Sequence, residues 1–159
     1  MNKLIITAMM LVASSGIYAK EFTNSTLCLA QNIYFEAANQ PLAGRMAVAQ
    51  VVMNRVADKK FPNSVCGVVY QARMFTNWKG NELPIRHKCQ FSWYCDGKPD
   101  RTVDSKTWTN AINLAAHVIL DNPKDITEGA LYYHADWVHP YWADQLERVL
   151  QIKNHIFYK

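Results

Sequence analysis

The sequence predicts an α+β protein, mostly helical, with a small antiparallel β element. Three observations carry this. Apolar residues recur at helical spacing in long stretches before Asn122. Turn-forming clusters then break the pattern. The last part of the chain alternates in short runs, as strands do.

The first helix is expected to start at Asn24 or Ser25, both good caps, and to carry Leu27, Ala30, Tyr34 and Ala37 on one face. Asn39, Gln40 and Pro41 end it. Pro41 suits the first turn of a second helix, whose stripe is Met46, Ala49, Val52, Met53 and Val56. Phe61, Pro62, Asn63 and Ser64 form a loop ending in a cap, followed by a short helix over 65–71. Residues 72–88 show no clear period, contain Asn77, Gly80 and Pro84, and are expected to form a long loop. Residues 90–94 alternate as a strand and run into the turn residues Asp96, Gly97, Lys98 and Pro99. Asp104 or Ser105 caps a further helix with the stripe Trp108, Ala111, Ile112, Ala115 and Ile119, stopped by Asn122 and Pro123. Residues 129–135 read as extended, 134–142 as an aromatic loop, and 146–158 as partly β.

The chain has 159 residues and a formal net charge of +4. One domain is expected. Residues 1–19 have the layout of a cleaved secretory signal. Lys3 gives a positive start, residues 4–12 are apolar, Ser14, Ser15 and Gly16 break the run, and Ala19 precedes Lys20. That apolar run is too short for a standard membrane span, so no stable membrane insertion is expected once the signal is gone. The catalytic part is then 20–159, exported to the periplasm, cell envelope or exterior. No Lys/Arg-rich run points to nucleic acid. All four cysteines, Cys28, Cys66, Cys89 and Cys95, lie in the exported part, and an even count reads as two disulfides. Of the possible pairings, a small Cys89–Cys95 loop with Cys28–Cys66 tying two helices is favoured. A zinc site is disfavoured, because CQFSWYC has no CxxC spacing.

Glu36 is the candidate catalyst. It follows Tyr34 and Phe35 at a helix end. Apolar rings disfavour the ionised carboxyl, and the negative end of the helix dipole acts the same way. A raised carboxyl delivers protons near neutral pH, as glycosidic bond cleavage requires. Around it the chain is rich in amphipathic aromatics, which offer flat faces to sugar rings and polar edges to hydroxyls. Tyr132, Tyr133, Trp137, Tyr141 and Trp142 crowd one stretch, and Trp93 and Tyr94 another. Gln90 and Ser92 are candidate hydrogen-bond partners beside a disulfide. His134 and His139 are the notable histidines, whereas His117 and His155 read as structural. No HExxH helix, GxSxG elbow or glycine-rich phosphate loop is present in the sequence. No metal or other cofactor is called for.

Six blocks in order, LAQNIYFEA, PLAGRMAVAQVVMNRV, FPNSVCGVVYQ, CQFSWYCDG, ALYYHADWVHPYWA and NHIFYK, resemble the SleB/CwlJ-type cell wall hydrolases. The resemblance implies a lysozyme-like α+β fold and action on peptidoglycan glycan strands. It also implies that Glu36 is the acid. Members acting as lytic transglycosylases cleave between N-acetylmuramic acid and N-acetylglucosamine and leave a 1,6-anhydro end. This chain departs from the pattern at Ala38 and Asn39, where a basic residue and glycine are commoner, and at Lys153, where glycine is common. Residues 72–88 coincide with a variable part of the family, so substrate preference is expected there.

The resulting expectation is a monomeric peptidoglycan-cleaving enzyme. Glu36 acts first as acid and then as base, and Gln90, Phe91, Ser92, Tyr133, His134 and Trp142 line the cleft. Tyr133 and Trp142 are the stacking candidates. Only one carboxylate is defended, where ordinary glycosidases need two. A transglycosylase manages with one, because the attacking hydroxyl is already tethered to the substrate. Asp136 is the rival second carboxylate. Facing Glu36 across a cleft, it would make a water-adding muramidase credible. The remaining alternative is a wall-binding protein without activity.

Overall fold

The computed structural model describes residues 2–159, with side chains described at Ile17 and from Ala19 onward. The expected export signal, 1–19, falls almost wholly on residues whose side chains lie outside that set. Four helices and two small antiparallel sheets follow one another. They are α1 (Asn2–Ala37), α2 (Leu42–Ala57), α3 (Val65–Val69), β1 (Ala72–Thr76), β2 (Glu82–Cys89), α4 (Ser105–Asp121), β3 (Tyr132–Ala135), β4 (Arg148–Ile152) and β5 (His155–Tyr158). Short 3-10 turns occupy Ser92–Cys95 and Ala143–Gln145. The α+β expectation holds.

Helix α2 organises the packing because it is buried on two faces. Ala49 and Val52 join the larger core with Leu29 and Ile33 of α1, Val68 of α3, and Leu114 and Val118 of α4. Ala47, Val48 and Val51 face the other way, against Ala37 at the end of α1 and Ala130 and Phe157 of the sheet side. The sequence stripe identified the first face only. Burying both faces adds apolar area at about 25 cal/mol per Å² and fixes the sheet against the bundle. Gly44 makes room for Gln40 at the entry to α2: a Cβ there would lie 3.0 Å from Gln40 Cβ, whereas Ile152 Cγ2 of β4, at 3.5 Å, would be in ordinary contact.

Local chemistry explains most boundaries. Ser64 caps α3 by accepting from Gly67 N (3.2 Å), and Asp104 caps α4 by accepting from Thr107 N (2.5 Å). Asn122 ends α4 in the left-handed region, which Asn tolerates. Three expectations fail. Asn24 and Ser25 do not cap α1, which arrives from upstream. Thr23 and Thr26 hydrogen-bond back to the carbonyls of Ala19 and Phe22 instead, so no chain break is needed there. Residues 72–88 are not a loop but mostly the β1–β2 hairpin, in register Phe75 to Leu83 and Met74 to Pro84. Its strands are exposed on both faces, so they carry no burial alternation, and Asn77 closes the turn by accepting from Lys79 N and Asn81 N. Residues 90–94 are not a strand. The burial of Phe91, Trp93 and Cys95 mimics strand alternation, yet Ser92–Cys95 winds into a 3-10 turn, with Tyr94 N donating to Phe91 O (3.3 Å) and Cys95 tied back to Cys89.

The second sheet has the order β3-β5-β4, with Tyr133 opposite Phe157 and Ala135 opposite His155. Tyr133, Phe157 and His155 therefore share the face toward α1 and α2, and His134 and Tyr158 share the other. The disulfides Cys28–Cys66 and Cys89–Cys95 tie α1 to α3 and the hairpin base to the 3-10 turn. Among the described residues, no helix is long and apolar enough to cross a membrane.

The two disulfides close loops of 38 and 6 residues. Chain entropy gives about 4 kcal/mol for the first and about 2 kcal/mol for the second. Urea unfolding of Cys28→Ala/Cys66→Ala and Cys89→Ala/Cys95→Ala should therefore show the larger loss for the first pair.

Candidate active site

Glu36 sits in the last turn of α1, where the chain must turn to enter α2. The preceding turn packs inward. Phe35 stacks on Trp93 with ring centroids 4.7 Å apart, and Asn32 Oδ1 accepts a hydrogen bond from Trp93 Nε1 (3.1 Å). That pair pins the 3-10 turn to α1 and brings Ser92 beside Glu36. From the opposite side, Tyr133 Oη donates to Glu36 Oε2 at 2.9 Å. A groove of about 570 Å³ results, with Glu36, Ser92, Asp96, Tyr133, Trp137 and His155 among its walls.

Burial pushes the Glu36 carboxyl above its ordinary range, while the Tyr133 hydrogen bond and the charge of Arg55 hold it partly back. Burial and the neighbouring Glu36 carboxylate push the Tyr133 phenol well up, so it stays neutral and donates. His155 is lowered by burial, against the opposing charge of Asp136, and stays neutral at neutral pH. Two buried atoms of groove residues, Gln40 Oε1 and His155 Nδ1, have no partner among the described residues. No group of three metal-ligating side chains gathers among them either.

Strand β3 is held in place by polar residues of α2. Gln50 Nε2 donates to Lys124 O (2.9 Å), and Gln50 Oε1 accepts from Ile126 N (3.0 Å). Asn54 Nδ2 reaches Asp125 (3.0 Å), Thr127 (3.1 Å) and Ala130 O (3.1 Å). Arg55 is 5 % exposed, donates from Nε to Leu131 O (2.7 Å), and lies near the rings of Phe61, Phe91 and Tyr132. Asp125 is buried in part, which alone would raise it. Its hydrogen bonds to Thr127, Asn54 and Gly129 outweigh this and hold it below the usual carboxylate range.

Residues 39–158 match the Cell Wall Hydrolase family. The chain belongs to that family. The matched stretch begins just beyond Glu36, so membership rests on other residues than the acid. The resemblance read from the six blocks is borne out. The spore cortex-lytic enzymes of Bacillus cereus and Bacillus subtilis are each 29 % identical, over 86 % of this chain and 44 % and 38 % of their own length. The chain thus spans less than half of these relatives. The chain covers a larger share of two solved structures. The catalytic domain of the Bacillus cereus SleB protein aligns at TM-score 0.62 and 29 % identity, over 86 % of this chain and 91 % of that one. The catalytic domain of a germination-specific lytic transglycosylase, SleB from Bacillus anthracis, gives the same TM-score and identity, over 86 % and 94 %.

In this cell wall hydrolase, Glu36, Ser92 and Tyr133 come together at the groove; His134 lines its wall too, but its ring lies on the reverse face of the sheet, hydrogen-bonded to Tyr158. Three expected cleft residues do not. Gln90 is exposed in a separate depression beside the hairpin, its backbone N–H tied to Gln71 O. Phe91 is 3 % exposed and packs in the core against the Arg55 guanidinium. Trp142 packs on Tyr132, His134 and Tyr158 rather than in the groove. Trp137, 69 % exposed, is the groove tryptophan free to stack on a ligand. Asp136 lines a neighbouring cavity, and Asp96 is the other carboxylate of the Glu36 groove. Asp96 Oδ1 also accepts from Lys98 N (2.8 Å). The sequence reading missed Gln50, Asn54 and Arg55. Their signal was polar residues interrupting an apolar helix that ends up buried on both sides.

Two titration experiments follow. Tyr133→Phe removes a bond that holds Glu36 down, so the alkaline limb of the pH profile for kcat/KM should move to higher pH. In Glu36→Gln the buried acid is gone. The folded-state pKa of Glu36 is raised, so its contribution is fully present below the unfolded pKa and is lost as pH rises through the folded one. Calorimetric melts should therefore show Glu36→Gln more stable than the parent at neutral pH, with the difference fading below about pH 4.

Proposed function

We propose that this chain is an exported enzyme that cleaves peptidoglycan glycan strands between N-acetylmuramic acid and N-acetylglucosamine as a lytic transglycosylase. The observation that carries this reading is the Glu36 carboxyl, held toward its neutral form on a groove wall with one hydrogen bond from Tyr133. Support comes from family membership and from the name of the Bacillus anthracis neighbour. Residues 1–19 are the segment proposed to be removed on export. The enzyme works as a monomer and needs no cofactor.

Protonated Glu36 donates its proton to the oxygen linking the two sugars, and the bond from that oxygen to the muramyl anomeric carbon breaks. The C6 hydroxyl of the same muramyl sugar attacks the anomeric carbon. Its proton passes to the Glu36 carboxylate, which restores the acid. No water is consumed, and the product carries a 1,6-anhydro ring. Tethering the attacking hydroxyl gives it a large effective concentration. Tyr133 steadies the carboxylate between the two proton transfers. Arg55, nearby and charged, keeps the anion accessible despite burial.

Asp96 favours one alternative. As the second carboxylate of the groove, it is the candidate base for a muramidase that adds water. Mass spectrometry of muropeptides released from purified sacculi separates the two readings. Anhydro-muramyl ends are expected, with Asp96→Asn retaining activity. Reducing ends together with loss of activity in Asp96→Asn would overturn the transglycosylase. Glu36→Gln should lower turnover by about 10²–10⁴-fold, since a positioned general acid is worth that much. Undiminished clearing by the folded variant would remove Glu36 from the mechanism.

A further inference from the structure

The Glu36 groove does not end at Trp137. A second cavity of about 480 Å³ adjoins it, and the two share His134, Trp137 and Val138 in their walls. Trp137 and Val138, in the loop that rounds the end of the sheet, therefore form a ridge between two cavities on opposite faces of that sheet. Their linings differ in charge. The Glu36 compartment holds aromatic and amide groups suited to neutral sugars beside the carboxyls of Glu36 and Asp96, with no Lys or Arg among the described residues of its wall. The second brings together Asp136, Asp144, Arg148 and His139, with Tyr158 at its wall. Asp144 Oδ2 pairs with His139 Nε2 at 3.0 Å, and Arg148 Nη2 donates to Gln151 Oε1 at 2.6 Å. Asp136 has no ion-pair partner among the described residues. Val138, Leu146 and Ile156 add short apolar surfaces between the charges.

Both signs of charge, separated by small apolar patches, do not suit a neutral glycan. They suit a short peptide carrying free carboxylates, free amines and small alkyl side chains. An arginine guanidinium offers a carboxylate a planar fork of donors, and aspartates accept from an ammonium. We propose that this second compartment binds the peptide stem attached to the muramyl sugar, so that the enzyme recognises stem-bearing strands. The proposal rests on the glycan-cleaving reading and adds a specificity site to it. Arg148 receives a stem carboxylate, Asp136 and Asp144 receive its amine, and the stem leaves the sugar groove over Trp137. The sugar bound beside Glu36 is thereby oriented from its substituent as well as from its ring.

The test compares kcat/KM on purified glycan strands carrying stems with the same strands stripped by an amidase. Wild type is expected to favour the stem-bearing strands by about tenfold or more, the range of one or two charge-assisted hydrogen bonds. Arg148→Ala/Asp144→Asn is expected to bring that ratio close to one. Equal rates in wild type, or a preference that survives in a folded variant, overturn the stem site and leave glycan cleavage standing. Cleavage of neither substrate by wild type overturns the glycan reading itself. Nuclear magnetic resonance titration of wild type with the free stem peptide needs neither turnover nor a variant. Shifts centred on Trp137 and Arg148 are expected, and none at millimolar peptide overturns the site.

Discussion

The hydrogen bond from Tyr133 to Glu36 joins the two halves of the molecule at the point where its chemistry is proposed to occur. Glu36 belongs to the helical half and Tyr133 to the sheet, 97 residues later. The bond forms only if β3 presents Tyr133 to α1. A strand alternates faces with a period of two, so a slip of one residue would turn Tyr133 away and present Tyr132 or His134 in its place. Everything that fixes the register of β3 therefore also fixes the environment of the acid. Pairing with β5 supplies part of this constraint. The rest comes from α2, whose Gln50, Asn54 and Arg55 hold the backbone between Pro123 and Leu131 before the strand begins.

Helix α2 thus has two tasks that pull against each other. Its apolar faces must be buried on both sides to weld helices to sheet, yet it must also carry polar groups to the incoming loop. The solution is to pair Gln50 through both ends of its amide and Asn54 through its Nδ2, since a buried polar group left alone costs more than a formed hydrogen bond returns. Arg55 is the exception in kind. Its charge lies under Phe61, Phe91 and Tyr132, where aromatic faces replace part of the lost solvation. The same charge opposes the effect of burial on Glu36. An acid that must both release and recover a proton is served by that opposition. In the proposed reaction, burial would favour the neutral form before bond cleavage, and Arg55 with Tyr133 would favour the anion after it.

What the sequence revealed follows from which forces act locally. Helical stripes, the Ser64 and Asp104 caps, and the position of Glu36 before Pro41 depend on neighbours a few residues apart, and these were legible. The β1–β2 hairpin was not, because exposure on both faces erases the alternation that marks a strand. The cleft was legible as a composition but not as a list. Phe91, Trp137 and Trp142 are all aromatics in or near predicted loops, and only three-dimensional packing decides that the first is core, the second a groove wall and the third a brace behind the sheet. His155 was read as structural for the same reason. Its place in the groove wall is set by its pairing opposite Ala135, which no local pattern announces.

The alternation that brings Tyr133 to Glu36 also accounts for the position of the second compartment. Tyr133 and His155 lie on the face toward α1, while His134 and Tyr158 lie on the reverse face and hydrogen-bond to each other at 2.9 Å. The loop after β3 carries Asp136, Trp137 and Val138 around the end of the sheet, so it touches both sides at once. One short strand and its loop thereby set the spacing between the proposed acid and the charged cavity. Any ligand that occupies both compartments must bridge the ridge at Trp137. A branched substrate, with a sugar on one side and a charged substituent on the other, meets that geometric demand where an unbranched chain does not.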